Sequence, residues 1–339
     1  MSRVTTIGLD LAKNVFHIHG VDAKGKVVLR KKVSRAKLME VFANLPPCLV
    51  GMEVSCGANH WAKMIANLGH DAKLISPQYV KPYVKTNKND FNDAEAICEA
   101  VSRPNMRFVP LKSQEQLDVQ MIHRIREHLV KNRTATANMA RGFLLNNGIA
   151  VPQGVKVLRK QLPHIFEDMD NGLSLVARDN ISSLYAMLVE LDEQIAQYDK
   201  QLMTIAKKSE VCTRLQEIIG VGFIIATATF AAAGSGSDFK NGRHFAAWLG
   251  LVPRQYSTGG KNRLFGISKR GNRYLRTLLI HGARSTVQYS AGKKDRQSVW
   301  LQGVVQRRGT KRAIVAQANK TARIIWALIT SGEQYKKAA

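Results

Sequence analysis

The chain has 339 residues, 45% of them hydrophobic, and its 51 Lys and Arg against 25 Asp and Glu leave a formal net charge of +26. That apolar content excludes a disordered polymer, and the length exceeds one ordinary core, so two or three domains are expected. The charge is concentrated: 16 cations meet 9 acids in residues 1–110, 14 meet 13 in 111–235, and 21 meet 3 in 236–339, which points the last third at a polyanion.

In chain order, VTTIGLD, VFHIHGVD and KVVLRKKV are short β-rich runs broken by Ala-Lys turns, the pattern of a three-stranded meander. A helix over Ala36 to Leu45 follows, then Pro46-Pro47, the apolar strand CLVGMEV, a helix from His60 to Leu68 and the strand DAKLIS, together predicting a mixed sheet in an α/β domain. Past the Pro104 to Pro110 stretch the middle reads as long helices. Leu117, Met121, Ile125 and Leu129 form one predicted stripe, and Leu184, Leu188, Leu191, Ile195, Tyr198, Leu202 and Ile205 form a heptad seam. That seam fits an antiparallel pairing inside one chain or a contact between protomers. The uncharged run Ile218 to Ser237 has the length of a membrane span, but Gly220, Gly222, Gly234 and Gly236 predict a buried helical hairpin instead. Its Gly-Val-Gly turn resembles a helix-hairpin-helix, whose backbone N–H groups can meet phosphates, and equally a plain helical turn. A Gly- and Arg-rich loop region and basic helices, one near Lys311 to Trp326, complete the chain. The expected domains are 1–110, 111–210 and 211–339. With no signal-peptide pattern and no paired cysteine spacing among Cys48, Cys56, Cys98 and Cys212, a cytoplasmic, nucleoid-associated protein with packing cysteines and no membrane contact is expected.

Two constellations carry chemistry. Asp10 and Glu53 end predicted strands, while Asp90 and Asp93 are three apart at the start of a predicted helix and share one face. Several carboxylates gathered in so basic a chain suit a divalent cation beside a phosphate. Asp90 is also a good N-cap, with Asp93 where a capping carboxylate sits. The second constellation is Ser257 in Gln-Tyr-Ser-Thr-Gly-Gly, with Arg254, Lys261, Arg263, Lys269, Arg270, Arg273 and Arg276 around it in sequence. A serine in a Gly-rich turn is most often turn chemistry, but such cations can hold a phosphate and offset charge as an oxygen attacks it. Thr258 adjoins Ser257, and Ser268 reads as a helix-start residue.

Strand Asp, strand Glu and two helical Asp after a meander follow the carboxylate order of the ribonuclease-H-like fold. The segments GLDLAKNVF, GMEVSCG, KNDFNDAEAI, LGLVPRQYSTGG and ISKRGNRYLRTLLIHGA together resemble the insertion-sequence transposases that join an N-terminal RuvC-like DEDD domain to a C-terminal serine-bearing domain; Piv-type DNA invertases look similar. The resemblance implies that Asp10, Glu53, Asp90 and Asp93 bind Mg²⁺, with Mn²⁺ as substitute, and that Ser257 is a nucleophile forming a phosphoserine link to DNA. It further implies a composite site between protomers of a dimer or tetramer, and a structured bridge RNA that pairs with donor and target DNA. A hydrolytic RuvC-like nuclease would need the acids but no serine. A non-catalytic nucleic-acid-binding protein would need neither.

Overall fold

The computed structural model describes residues 3–85 and 89–336; Lys88, which opens the segment KNDFNDAEAI, lies outside them. The chain divides into two compact units, 1–113 and 114–339.

The first unit is built on β1 (Thr6–Leu11), β2 (Val15–Val21), β3 (Val27–Ser34), β4 (Leu49–Glu53), β5 (Asp71–Ile75) and β6 (Phe108–Val109), with α1 (Leu38–Ala43), α2 (Ala58–Asn67), α3 (Pro77–Val80) and α4 (Asp90–Val101) between them. The sheet order is β3-β2-β1-β4-β5-β6. The meander is antiparallel, β4 and β5 run parallel to β1, and β6 returns antiparallel to β5, so the sheet is mixed as expected. The short β6, inside the proline-bounded stretch, has too few residues to show a period. Alternation sorts the strands into two faces. Ile7, Leu9, Phe16, Ile18, Val50 and Met52 point to the face covered by α1 and α2, where Phe42, Trp61 and Ile65 complete the core. On the other face Ile97, Ala100 and Val101 of α4 pack with Ile75 and Val80.

The second unit opens with two long helices, α5 (Gln114–Asn146) and α7 (Leu175–Lys208), with the shorter α6 (Val155–Glu167) between them. Arg126 meets Asp199 at 2.5 Å and Arg133 meets Asp192 at 2.7 Å. One partner number rises as the other falls, so α5 and α7 are antiparallel. Leu188, Ile195 and Leu202 of the predicted seam are buried, and the seam is used within the chain. The predicted α5 stripe is corrected in part: Leu129 is buried as expected, but Met121 is 56% and Ile125 37% exposed, and the other buried positions are Val119, His123, Ala137, Ala140 and Leu144. The buried positions follow a heptad that passes through a histidine and two alanines, which a search for large apolar residues overlooks.

After α8 (Glu210–Gln216), the Gly-Val-Gly turn leads into α9 (Phe223–Ala233), which is buried along most of its length. Among the described residues no helix is long and apolar enough to cross a membrane. Then come α10 (Gly242–Trp248), the two-stranded β7 (Pro253–Gln255) and β8 (Leu264–Ile267), α11 (Arg273–Gln288), α12 (Arg296–Arg308) and α13 (Thr310–Ser331). The turn packs on α11: a Cβ on Gly220, held at φ +87, would stand 2.9 Å from the Gly282 carbonyl oxygen. The glycine therefore serves a close backbone approach. Val119, Leu202 and Ala231 share one cluster, so the long helices and the serine-bearing segment have a common core. His123 of α5 ties them further, with Nδ1 3.0 Å from the Tyr274 hydroxyl and Nε2 3.0 Å from Thr227 Oγ1. Burial, then Arg126, pushes His123 down to about 4. A neutral ring can accept from Tyr274 at Nδ1 and donate to Thr227 at Nε2, since the Thr227 hydroxyl itself donates to the Phe223 carbonyl.

Candidate active site

The acids converge because two glycines let a helix lie almost on the sheet. Gly8 of β1 stands beside Gly51 of β4 in the parallel register. A Cβ on Gly8 would fall on the Ala94 carbonyl oxygen and 2.8 Å from Cys98 Cβ; one on Gly51 would lie 2.7 Å from Val101 Cβ. Any larger pair would lift α4 away. Two residues further along each strand, on the same face, are Asp10 and Glu53, both partly buried. The first turn of α4 brings Asp90 and Asp93 to that end of the sheet, where the positive end of the helix favours carboxylates.

The capping alternative for Asp90 is settled by its neighbour. Asn89 is the N-cap, its side chain accepting from the Phe91 amide at 2.9 Å, and Asp90 is the first helical residue. Asp90 and Asp93 are thus released from capping. Burial raises the Asp10 carboxyl above its ordinary range, and Asp93 and Asp90 push it further; His17 and the Leu11 amide oppose this. Glu53 is raised by burial, then by Asp10 and Asp93. Asp10 is thus under the influence of Asp93 and Asp90, and Glu53 under that of Asp10 and Asp93. Among the described residues no Lys or Arg pairs with Asp10, Glu53 or Asp93. The one cationic candidate is His17 of β2, directly across from Asp10, whose Nδ1 lies 3.6 Å from Asp90 Oδ2. That is beyond hydrogen-bond reach, and the buried Nδ1 has no other partner. Among the described residues no three His, Cys, Asp or Glu side chains are gathered closely enough to hold an ion as they stand. Asp90 keeps a side chain 59% exposed and free to turn. Glu95 and Glu99, on the same helix, pair with Lys85, and Glu99 also with Arg103.

Ser257 sits beyond the end of β7, exposed in the loop joining it to β8. Gln255 Nε2 donates to its Oγ at 2.8 Å. Tyr256 N–H donates to the Arg263 carbonyl, and Lys261 N–H to that of Thr258, so the loop closes as a hairpin over Gly259 and Gly260, both at positive φ. Its base is rigid. Ser268 N–H donates to Val252 and Lys269 N–H to Gly250, while a Cβ on Gly271 would fall against the Trp248 carbonyl. Lys269 is the one non-glycine residue at positive φ among those described, at 56°.

Arg254, Lys261, Arg263, Lys269, Arg270 and Arg273 are exposed on or near this hairpin, with Arg254 5.1 Å over the Phe265 ring. Arg276 does not join them. It is 8% exposed and its Nη1 donates to the carbonyls of Leu249 and Arg270 at 2.9 and 3.0 Å, fixing the hairpin's base from beneath. Ser268 is not a helix start, because Asn272 caps α11 by accepting from Leu275 N–H. Of the cysteines, Cys48, Cys98 and Cys212 are buried, but Cys56 is exposed and does not pack.

Sequence reading missed the glycine pair and His17. The signal was present as Gly-Leu-Asp and Gly-Met-Glu, the same Gly-x-acid spacing at the end of two strands.

The transposase model labelled DEDD and IS110 matches residues 7–147, and the model described as Transposase IS116/IS110/IS902 family matches residues 212–298. The chain is 46% identical to the transposase for insertion sequence element IS1111A of Coxiella burnetii, over 99% of this chain and 92% of that one. It is 48% identical to a probable family 20 transposase of Pseudomonas aeruginosa, over 98% and 99%. A more distant relative is the pilin gene-inverting protein of Moraxella bovis, 24% identical over 82% of this chain and 77% of that one.

Proposed function

Since the chain belongs to the IS116/IS110/IS902 family of insertion-sequence transposases, enzymes that cleave and rejoin DNA, we propose that it exchanges DNA strands through Ser257, assisted by a divalent cation on Asp10, Glu53, Asp90 and Asp93. The observation that carries this reading is the convergence of β1, β4 and the first turn of α4, at a glycine-floored contact, on four carboxylates, with Asp10 and Glu53 raised by burial and then by their acidic neighbours. Four oxygen donors with no Lys or Arg neutralising Asp10, Glu53 or Asp93, among the described residues, fit a hard cation such as Mg²⁺ or Mn²⁺. When bound, such an ion supplies charge neutralisation and Lewis acidity at phosphate oxygens. The strand order β3-β2-β1-β4-β5 supports an RNase H-like reading of this domain.

In the proposed reaction Ser257 Oγ attacks phosphorus and gives up its proton. The P–O bond to one flanking sugar breaks, and the leaving sugar oxygen takes up a proton to become a free hydroxyl. Attack by a hydroxyl of another strand on the phosphoserine ester then restores Ser257 and joins the new ends, without an external energy source. Exposed Arg254, Lys261, Arg263, Lys269, Arg270 and Arg273 hold the phosphates in place. Family likeness extends the proposal to a bridge RNA partner and to a homo-oligomer in which the acids and the serine come from different protomers.

The test is trapping of a covalent protein–DNA adduct and mapping it by mass spectrometry. The adduct is expected at Ser257, lost in Ser257→Ala and Asp10→Asn and kept in Thr258→Ala and Ser268→Ala. Cleavage without any adduct would return the hydrolytic nuclease, and an adduct surviving in Ser257→Ala would reassign the nucleophile. Mixing Asp10→Asn with Ser257→Ala protein is expected to restore recombination if the halves come from different protomers. A nuclease-sensitive RNA of one defined sequence copurifying with active protein tests the RNA partner.

A further inference from the structure

One face of α13 is strongly basic. Arg312, Lys320 and Arg323, spaced at turns of the helix, form a wall of an open cleft of about 1050 Å³, and Arg243 of α10 adds a fourth cation. Apolar floor residues include Leu251 and Ile267, and Trp300 of α12 stands at the side with Lys320 Nζ 4.5 Å over its ring. Among the described residues no carboxylate lines the cleft. All four cations are exposed, and among the described residues none is in an ion pair. Pro253 of β7 and Ile267 of β8 belong to the lining as well, so the cleft begins at the root of the hairpin that carries Ser257.

Four uncompensated cations above an apolar floor match a ligand that is anionic along one edge and flat and apolar along the other. A paired duplex is such an object only inside out, because it keeps its bases stacked and presents phosphates to the outside; it would meet the rim cations and leave the floor uncovered. An unpaired strand offers both edges together, phosphates to cations and bases to aromatic or apolar surface. The Lys320–Trp300 arrangement places a charge and a ring where one nucleotide's phosphate and base can each find a partner. We propose that this cleft holds an unpaired stretch of the DNA strand whose scissile phosphate lies at Ser257, keeping a cleaved or displaced strand in place until it is rejoined. The identification of the strand rests on the recombinase reading above; the cleft's preference for single-stranded DNA does not.

The experiment uses the full chain carrying Ser257→Ala, so that binding is measured apart from any reaction. Fluorescence anisotropy follows a labelled 12-nucleotide oligothymidylate, a duplex of equal length and an oligouridylate across a salt series. Arg312→Ala with Arg323→Ala is expected to weaken oligothymidylate binding at least tenfold and to lower the salt slope by about 1.4, at about 0.7 per single-strand phosphate contact. Trp300→Ala is expected to weaken it about 5- to 150-fold, the range for loss of one stacked base, with Trp300→Phe close to the parent and duplex affinity changed far less. Where Trp300→Ala fails to fold, photocrosslinking of a 5-bromouracil strand to the parent decides, with crosslinks expected on α12 or α13. Equal losses for duplex and single strand, unchanged single-strand binding in the variants, crosslinks confined to other segments, or preference for oligouridylate would each overturn the proposal. Adduct formation at Ser257 is scored separately in the unsubstituted protein, so failure of the recombinase chemistry leaves the binding result intact.

Discussion

Gly8→Ala adds one methyl group to the sheet and aims it at the backbone of α4. The new Cβ would stand 2.8 Å from Cys98 Cβ and closer still to the Ala94 carbonyl oxygen and the Cys98 amide nitrogen. Ordinary carbon contacts are about 3.5–4.0 Å, so the helix must retreat by about 1 Å at the least. Overpacking of this kind costs about 1–3 kcal/mol, which in a domain of this size lowers Tm by roughly 5–20 °C. The retreat carries Asp90 and Asp93 away from Asp10 and Glu53, and a 1 Å misplacement at a reacting centre costs about a hundredfold in rate. The assay is metal-dependent strand cleavage, beside calorimetry and DNA binding. Cleavage is expected to fall about a hundredfold while binding holds. Ala94→Gly should not rescue it, because the collision is with main chain. Gly51→Ala meets the Val101 side chain at the far end of α4, with Cγ1 and Cγ2 at 3.1 Å, so its effect on cleavage is smaller and Val101→Ala relieves part of it. Gly8→Ala protein with parental cleavage and parental Tm would refute the glycine-floor account.

The raised carboxyls give a pH signature in metal-free buffer. A folded-state acid raised above its unfolded value makes folding costly at high pH, a cost that fades as pH falls through the raised value toward the ordinary carboxylate range. Asp10→Asn is therefore expected to raise Tm at pH 8, to converge on the parent as pH is lowered, and to abolish most of the Tm gain that Mg²⁺ gives the parent; superimposable Tm–pH curves would discard the electrostatic coupling. Arg276→Ala leaves two carbonyls without their donor, a loss of about 1–3 kcal/mol for each buried group, whereas exposed Arg273→Ala is expected to stay within about 0.5 kcal/mol in stability and to lower the DNA salt slope by about one. Calorimetry and salt-dependent anisotropy read both, and the assignment fails if Arg276→Ala behaves like Arg273→Ala.

Much of the first unit was legible because strands announce themselves by alternation. The meander, β4 and β5 stand within a residue or two of where their apolar runs place them, and Asp10 and Glu53 fall at strand ends. Apart from Leu129, the α5 face was misread for a definite reason: a search for large apolar side chains selects Met121 and Ile125, whereas Ala137 and Ala140 pack in a cluster with Leu188 of α7 and buried His123 is satisfied by Tyr274 and Thr227. Asp90 was ambiguous because Asn89, the better cap, differs by one position, and single-sequence patterns fix helix ends no better than that. Arg276 looked like its neighbours because sequence does not show depth. On α11 it falls on the inward face with Leu275 and Leu279, and only the carbonyls of Leu249 and Arg270 make that position tolerable for a guanidinium.

The two sites share one structural device, and it accounts for which residues sequence alone leaves unnoticed. At the acids, Gly8 and Gly51 let α4 touch the sheet; at the serine, Gly250 and Gly271 let the chain on either side of the hairpin touch, a Cβ on Gly250 meeting the Arg270 amide nitrogen at 2.7 Å. Each contact is main chain or its near neighbour, so it resists side-chain adjustment and holds the base of the site firmly. Beyond each base the candidate reacting group is exposed: the Asp90 side chain is 59% exposed, and Ser257, held by Gln255 alone among the described contacts, is exposed in the hairpin loop. A rigid footing with an exposed end suits the proposed chemistry, in which Ser257 and the four acids would adjust to a phosphate that arrives only with the DNA. Gly271→Ala then parallels Gly8→Ala, disabling adduct formation by shifting the hairpin while leaving every acid in place, and the two variants separate loss of the serine from loss of the acid geometry.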